Sequence, residues 1–174
     1  MNDYRPPYWS AVAAGAGILL LYILTLSPST AMWDTSEYIA TAHILGIPHP
    51  PGNPLFVALG KAWSLLLAPL GLSVAVRINL LAAVTSAGAG AFYFLVAHRV
   101  LWGILGAGNG MVRESEDGSL ASRALFPTVG AVLAVLLSGT AFTVWNQSNV
   151  NEKVYTVSVL VSAAVVWLAL RWRD

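Results

Sequence analysis

Long uncharged apolar runs constrain this chain more than any other feature, because each is long enough to cross most of a lipid bilayer. The hydrocarbon core of a bilayer is about 30 Å thick and takes about 20 apolar helical residues to cross. Only 10% of the residues are charged, whereas soluble domains carry about 25%. We therefore predict an all-α integral membrane protein with about four transmembrane helices, at residues 9–26, 78–97, 124–145 and 154–170.

Two shorter helices are predicted between the first and second spans. Residues 33–45 place apolar side chains at helical spacing around Asp34 and Glu37, which is typical of a helix that lies on a membrane surface. Residues 54–70 would measure about 25 Å as a helix, which is marginal for crossing. They also carry Lys61 near their centre, where a lysine is costly. We predict a re-entrant or juxtamembrane helix there, with a true span as the alternative.

The distribution of Lys and Arg selects the orientation of the chain. With four spans, one side carries most of the basic residues, namely Arg5, Arg99, Arg113, Arg123, Arg171 and Arg173. Basic residues are enriched in cytoplasmic loops. We therefore expect residues 1–174 to form a single membrane domain with both termini and the loop at 98–123 in the cytoplasm. The segment from Asp34 to Pro54 is then extracytoplasmic, and so is Glu152.

The segment after the first predicted span holds the strongest candidates for chemistry. Asp34 and Glu37 are three residues apart and therefore share one face of a helix. Such a carboxylate pair can act as a general base, hold a metal or bind a polar substrate. The alternative is a helix cap, because Asp34 and Thr35 suit the start of a helix and Glu37 would complete the cap.

A rigid turn, His49-Pro-Pro-Gly-Asn-Pro54, follows this helix, and Pro54 suits the first position of the next one. His49 could donate a hydrogen bond to a phosphate or a carboxylate, although a histidine beside two prolines is also a common structural element. Glu152 lies in an amide-rich loop at residues 145–153. That loop fits either a sugar-compatible surface or a solvated connection.

Several classes of function are excluded or disfavoured by the composition. The chain has no cysteine, which excludes disulfides, thiolate metal sites and cysteine nucleophiles. None of its three histidines lies in the middle of a predicted span, which argues against haem ligation within the bilayer. The net charge is +1 without a basic cluster, so no nucleic-acid partner is expected. No nucleotide-binding or zinc motif is present.

Several motifs together carry a family resemblance: Asp34-x-x-Glu37, Gly46-Ile-Pro-His-Pro-Pro-Gly-Asn-Pro-Leu55, Arg77-Ile-Asn-Leu80, Trp145 and Glu152-Lys-Val-Tyr155. They resemble those of multi-spanning bacterial membrane proteins related to eukaryotic protein O-mannosyltransferases of the GT-C glycosyltransferase superfamily. The resemblance implies sugar transfer from a polyprenyl-phosphate donor on the outer face of the bacterial cytoplasmic membrane. It implies that Asp34 and Glu37 are catalytic or vestigial. The substrate-binding residues that it implies are His49, Asn53, Arg77 and Glu152.

Two hypotheses of function follow, because GT-C enzymes generally have more spans than the four predicted here. The preferred one is a non-catalytic structural subunit, a truncated GT-C-like module without cofactor or metal that stabilises a larger membrane complex, for example photosynthetic or respiratory. Its small-residue helix faces would contact other transmembrane subunits as well as the lipid bilayer. The alternative is a glycosyltransferase, or one half of a split one, that uses a polyprenyl-phosphate sugar.

Overall fold

The computed structural model describes residues 4–31, 33–107, 120–151 and 154–173, and these are predominantly helical. The helices are α1 Tyr8–Leu24, α2 Thr35–Ile44, α3 Pro54–Leu66, α4 Val74–Ala107, α5 Leu120–Thr140, α6 Phe142–Asn149 and α7 Tyr155–Arg173, with a 3-10 turn at Ala68–Leu70. The predicted all-α class is confirmed.

The lengths of the helices indicate which of them can cross a membrane. Within the described residues, α4 and α7 are long and apolar enough to do so, and α5 with α6 adds a third if that bent pair is one span. The helix α1 has 17 residues and α3 has 13, fewer than the about 20 that a full crossing takes. The chain is a membrane protein; the number of four spans and the placement of residues 54–70 stay predictions.

Proline and glycine set the ends of the first three helices close to where the sequence predicts them. The helix α1 begins directly after Pro7, and α3 begins at Pro54, whose fixed φ suits a first helical position. The helix α2 ends at Ile44, and the next residue, Leu45, has a left-handed φ of 58°. The N–H of Gly46 then donates to the carbonyl of Thr41, which closes the helix end.

The helix α4 is the central element of the fold and packs against α1, α5 and α7. The predicted loop at residues 98–123 is wrong in its first part, because α4 continues to Ala107. Packing explains the extension: a Cβ added to Gly130 of α5 would lie 2.5 Å from Cδ1 of Leu101. That close approach holds the last turns of α4 against α5. Residues 108–119 of the predicted loop lie outside the described residues.

Small residues bring the helices of this chain close to one another. A Cβ added to Gly15 of α1 would lie 3.0 Å from Cβ of Ala91 and 3.1 Å from the carbonyl oxygen of Ala87, both on α4. A Cβ added to Gly88 would lie 3.1 Å from Leu160 of α7. These small-residue faces contact helices of the same chain. The predicted partner subunits are not tested by this packing and stay a prediction.

The predicted span at residues 124–145 lies on two helices, because the chain bends by 67° between α5 and α6. Ala141 is extended at the bend, with φ −58° and ψ 132°. The hydroxyls of Ser138 and Thr140 donate to backbone carbonyls within α5, which competes with regular helix hydrogen bonding. The hydroxyl of Tyr22 donates to the carbonyl of Gly139 at 2.9 Å, so this carbonyl beside the bend has a partner.

Asn79 of α4 joins two connections at the same end of the helix bundle. Its Nδ2 donates to the carbonyls of Ser27 and Ser29, at 3.0 and 3.1 Å. Its Oδ1 accepts from the N–H of Asn151 at 3.0 Å. The side chain is fully buried. Its Nδ2 thus holds the α1–α2 connection and its Oδ1 holds the α6–α7 connection. The structure thus places these two connections side by side.

Candidate functional site

The site is organised around a contact between Glu37 on α2 and His49 in the proline turn. One carboxylate oxygen of Glu37 accepts from the backbone N–H of His49 at 2.6 Å, and the other lies 2.7 Å from the ring Nδ1. An ionised carboxylate can only accept, so Nδ1 donates. The opposite nitrogen of the ring, Nε2, is therefore the one left to face a third group.

That third group is Asp34, at the start of α2. Its Oδ2 lies 3.8 Å from Nε2 of His49. The three side chains are between 33% and 42% exposed, so a substrate can reach them from solvent. The arrangement is an imidazole held by one carboxylate and facing another, which is suited to accepting or positioning a proton.

The electrostatics of the site favour the ionised form of Glu37. The side-chain hydrogen bond from His49 is the largest cause that lowers the pKa of Glu37, and the backbone N–H of His49 adds to it. The neighbouring Asp34 raises the pKa of Glu37, but by less. At neutral pH Glu37 is thus a stable anion that anchors the imidazole.

The hydrogen bonds at the start of α2 contradict the interpretation of Asp34 and Glu37 as a helix cap. Asp34 occupies the N-cap position of α2, but its side chain makes no capping hydrogen bond. Glu37 lies in the first turn, and both of its oxygens are bonded to His49. The carboxylates therefore face the proline turn and each other.

Tyr38 is a buried residue that packs against the site. The sequence analysis did not identify it. It is 1% exposed, and its ring lies edge-on to the rings of His49 and Phe56 at 5.8 and 5.7 Å. Its hydroxyl accepts from Nδ2 of Asn53 at 2.7 Å. Tyr38 follows Asp34 by four residues, so helical spacing alone places it on the same face. The structure gives Asn53 a scaffold contact, and its predicted substrate role stays a prediction.

Arg77 lies in the first turn of α4, next to the α3–α4 connection. Its Nε donates to the carbonyl of Leu72 at 2.8 Å, and its Nη1 donates to the carbonyl of Ser64 at 3.0 Å. These contacts close the connection and do not involve the Asp34, Glu37 and His49 side chains. Glu152 lies outside the described residues. Substrate binding by Arg77 and Glu152 stays a prediction.

Among the residues that the structure describes, these same three side chains could hold a metal ion, since one ligand atom from each lies within 4.8 Å of the others. Imidazole with carboxylates suits zinc, iron or manganese. In the described geometry, however, both oxygens of Glu37 accept hydrogen bonds from His49, so a metal ion bound by Glu37 would have to compete with these contacts. Catalytic zinc sites generally use three protein ligands. The expectation of no metal stays a prediction.

A known family of proteins matches the segment that holds this site. A family model described as the protein O-mannosyl-transferase TMEM260 N-terminal domain matches residues 34–174. The protein O-mannosyl-transferase TMEM260 of Mus musculus is 40% identical over 102 residues, which are 56% of this chain and 14% of that protein. The relative with the same name from Dictyostelium discoideum is 36% identical over 83 residues, 48% of this chain and 10% of that protein. No solved structure matches.

Proposed function

We propose that this chain, which belongs to the family of the protein O-mannosyl-transferase TMEM260 N-terminal domain, carries a glycosyl-transfer site built on Asp34, Glu37 and His49. Membership makes the chain a glycosyltransferase-related membrane protein. The alignments cover only 14% and 10% of the two relatives. The reaction, the sugar and the acceptor are therefore part of the proposal.

The proposed reaction transfers a sugar from a polyprenyl-phosphate donor to a hydroxyl group of an acceptor. The acceptor gives its proton to the carboxylate of Asp34, and its oxygen attacks the anomeric carbon of the sugar. A new carbon–oxygen bond forms there while the bond from that carbon to the phosphate oxygen breaks. The leaving group is the polyprenyl phosphate, which needs no proton at neutral pH.

The observation that carries the proposal is the hydrogen-bonded arrangement of Glu37, His49 and Asp34. Glu37 holds the ring of His49 through two contacts of 2.6 and 2.7 Å, and Nε2 lies 3.8 Å from Asp34. Asp34 is one third exposed, whereas both oxygens of Glu37 are bonded to His49. We therefore assign proton acceptance to Asp34 and positioning to Glu37 and His49.

The orientation of the chain is part of the same proposal. The distribution of Lys and Arg supports a site on the extracytoplasmic face, where a polyprenyl-phosphate sugar would be presented. The assignment to a bacterial cytoplasmic membrane rests on the motif resemblance, and the two relatives described above come from eukaryotes.

Sugar transfer in membranes that contain the full chain tests the proposal. The assay follows a radiolabelled polyprenyl-phosphate mannose and a peptide rich in serine and threonine. Replacing Asp34 by Asn should lower transfer by about 10²–10⁴-fold, the usual contribution of a general base. His43→Gln, on the same helix but outside the site, is the control and should keep the rate. Equal transfer by Asp34→Asn and the unmodified chain would refute the assignment.

A second candidate function is that of a non-catalytic subunit of a larger membrane complex. The observation that favours it is the exposure of α7: only 17% of its apolar stretch is buried within this chain, compared with 44% for α4. Such a helix offers a surface to another transmembrane helix. Purification in mild detergent tests it: stoichiometric partners that remain bound to Asp34→Asn, together with no transfer by the unmodified chain, favour the subunit.

A further inference from the structure

A groove of about 380 Å³ lies on the inside of the α5–α6 bend, between that bend and the helices α4 and α7. Its middle is lined by small and apolar residues, among them Ala89 and Gly90 of α4, Val135 of α5 and Val159 of α7. Pockets for small molecules typically measure about 300–1,000 Å³. The groove is thus large enough to bind a small ligand, and it is separate from Asp34, Glu37 and His49.

The groove is polar at one end and carries no charged side chain among its described lining residues. Gln147 and Ser148 of α6 and Tyr155 and Thr156 of α7 form the polar end. Tyr155 and Thr156 are the first residues of α7, so this end lies where that helix would emerge from the bilayer. The apolar part then extends toward the middle of the membrane.

Thr156, at the polar end, has a buried hydroxyl without a hydrogen-bond partner. Its side chain lines the groove and is 6% exposed, and its Oγ1 has no hydrogen-bond partner. Buried hydroxyls in proteins are nearly always hydrogen bonded, because an unpaired one loses its hydration without compensation. A ligand with a hydrogen-bond acceptor at this end would satisfy the hydroxyl of Thr156.

The side of the groove that faces away from the bundle is open. Tyr93, Val144 and Val159 line it and keep 41%, 43% and 42% of their surface exposed. A second protein helix is too wide to enter: a helix about 10 Å across would fill 380 Å³ with about one turn. A single hydrocarbon chain from the surrounding bilayer fits the open, narrow and apolar shape.

We propose that the groove binds one acyl chain of a bilayer phospholipid, with the ester carbonyl of that chain accepting a hydrogen bond from Thr156. The ester is uncharged, as is the described lining, and it lies at the depth where the polar end is placed. The charged phosphate remains outside in the interfacial region. The inference does not rest on the proposed glycosyl transfer, since it uses neither Asp34 nor the proline turn.

Photolabelling of the full chain in phosphatidylcholine nanodiscs tests this inference. The probe is a phosphatidylcholine with a diazirine midway along one acyl chain, and labelled residues are identified by peptide mass spectrometry. Labels should concentrate on Tyr93, Val135 and Val159. Val159→Trp fills the groove and should lower this labelling about tenfold. Val161→Trp is the matched control, because Val161 is 54% exposed on the same helix and does not line the groove.

Thr156→Val removes the hydroxyl and nearly keeps the shape, and it should raise the half-saturating fraction of the probe lipid about fivefold, the effect of one net hydrogen bond. Helix content by circular dichroism shows that each variant is folded. Unchanged labelling in Val159→Trp, or labels spread evenly over the lipid-facing surface, would overturn the proposal. A polyprenyl-phosphate probe that labels the groove and displaces phosphatidylcholine would overturn it as well, in favour of a donor site.

Discussion

Glu37 accepts two hydrogen bonds from a single residue, His49, one from its backbone N–H at 2.6 Å and one from its ring at 2.7 Å. The two contacts fix both the position of the proline turn and the rotation of the imidazole. The orientation of Nε2 toward Asp34 therefore depends on the charge of Glu37. The carboxylate of Glu37 therefore both stabilises the turn and orients the imidazole of the site.

The stability of the turn should decrease in acid. The folded pKa of Glu37 lies below its ordinary value of 4.5 because of the bonds from His49. Between the two values the folded state binds fewer protons than the unfolded state, so stability rises with pH. The stabilisation that Glu37 provides through these bonds is complete above pH 4.5 and is lost as the pH falls through the pKa of the folded state.

Thermal unfolding in detergent between about pH 7 and pH 3 measures this effect. We expect the melting temperature to fall below pH 4.5 in the unmodified chain and to fall less in His49→Gln, which lacks the ring hydrogen bond. His43→Gln serves as the control and should behave like the unmodified chain. An identical pH profile in both His49→Gln and His49→Leu, whose side chain cannot donate, would show that the ring contact does not form in solution.

The contact between α1 and α4 should tolerate no side chain at Gly15. A Cβ there would lie 3.1 Å from the backbone oxygen of Ala87, which cannot rotate away, whereas a Cβ on Gly17 meets nothing within 4 Å. Gly15→Leu should destabilise the chain by about 1–3 kcal/mol. Gly17→Leu should change stability by less than about 0.5 kcal/mol. Thermal unfolding of both variants is the measurement, and equal melting temperatures would contradict this packing.

The bend between α5 and α6 should depend on the hydroxyl of Tyr22. Tyr22→Phe keeps the buried ring but removes the bond to the carbonyl of Gly139, which should cost about 1 kcal/mol. Tyr8→Phe is a suitable control, because Tyr8 is half exposed and its ring contact with Trp167 does not need the hydroxyl. A loss of stability in Tyr8→Phe as large as in Tyr22→Phe would argue against a specific role of this bond.

Local sequence signals predicted the first three helices to within a few residues, apart from the end of the run at 54–70, which divides into α3 and a 3-10 turn. Pro54 acts within one turn of the backbone through its fixed φ and missing N–H, and Gly46 closes the end of α2 through its N–H. The four predicted apolar runs also lie on α1, α4, α5 with α6, and α7. These features follow from residues that are neighbours in the chain.

The features that sequence reasoning missed depend on contacts between distant residues. The extension of α4 is held by Leu101 against Gly130, and the bend after α5 has Tyr22 from α1 as a partner. The acidic pair was identified, but the bond from Glu37 to His49 spans twelve residues of chain. No periodic pattern encodes such a contact, because its formation depends on how the proline turn folds back over α2.

The site should function without a bound metal. Both oxygens of Glu37 accept hydrogen bonds from His49 at 2.6 and 2.7 Å, so a metal ion bound by Glu37 would have to displace these contacts. Nε2 of His49 and Asp34 alone are fewer protein ligands than catalytic zinc sites use. We expect purified full chain to contain no stoichiometric metal by elemental analysis, and EDTA to leave sugar transfer unchanged. His49→Gln should leave the metal content unchanged too. Stoichiometric zinc or manganese that is lost from this variant would instead assign Asp34, Glu37 and His49 as ligands, with the carboxylate of Glu37 turned from the ring to the ion.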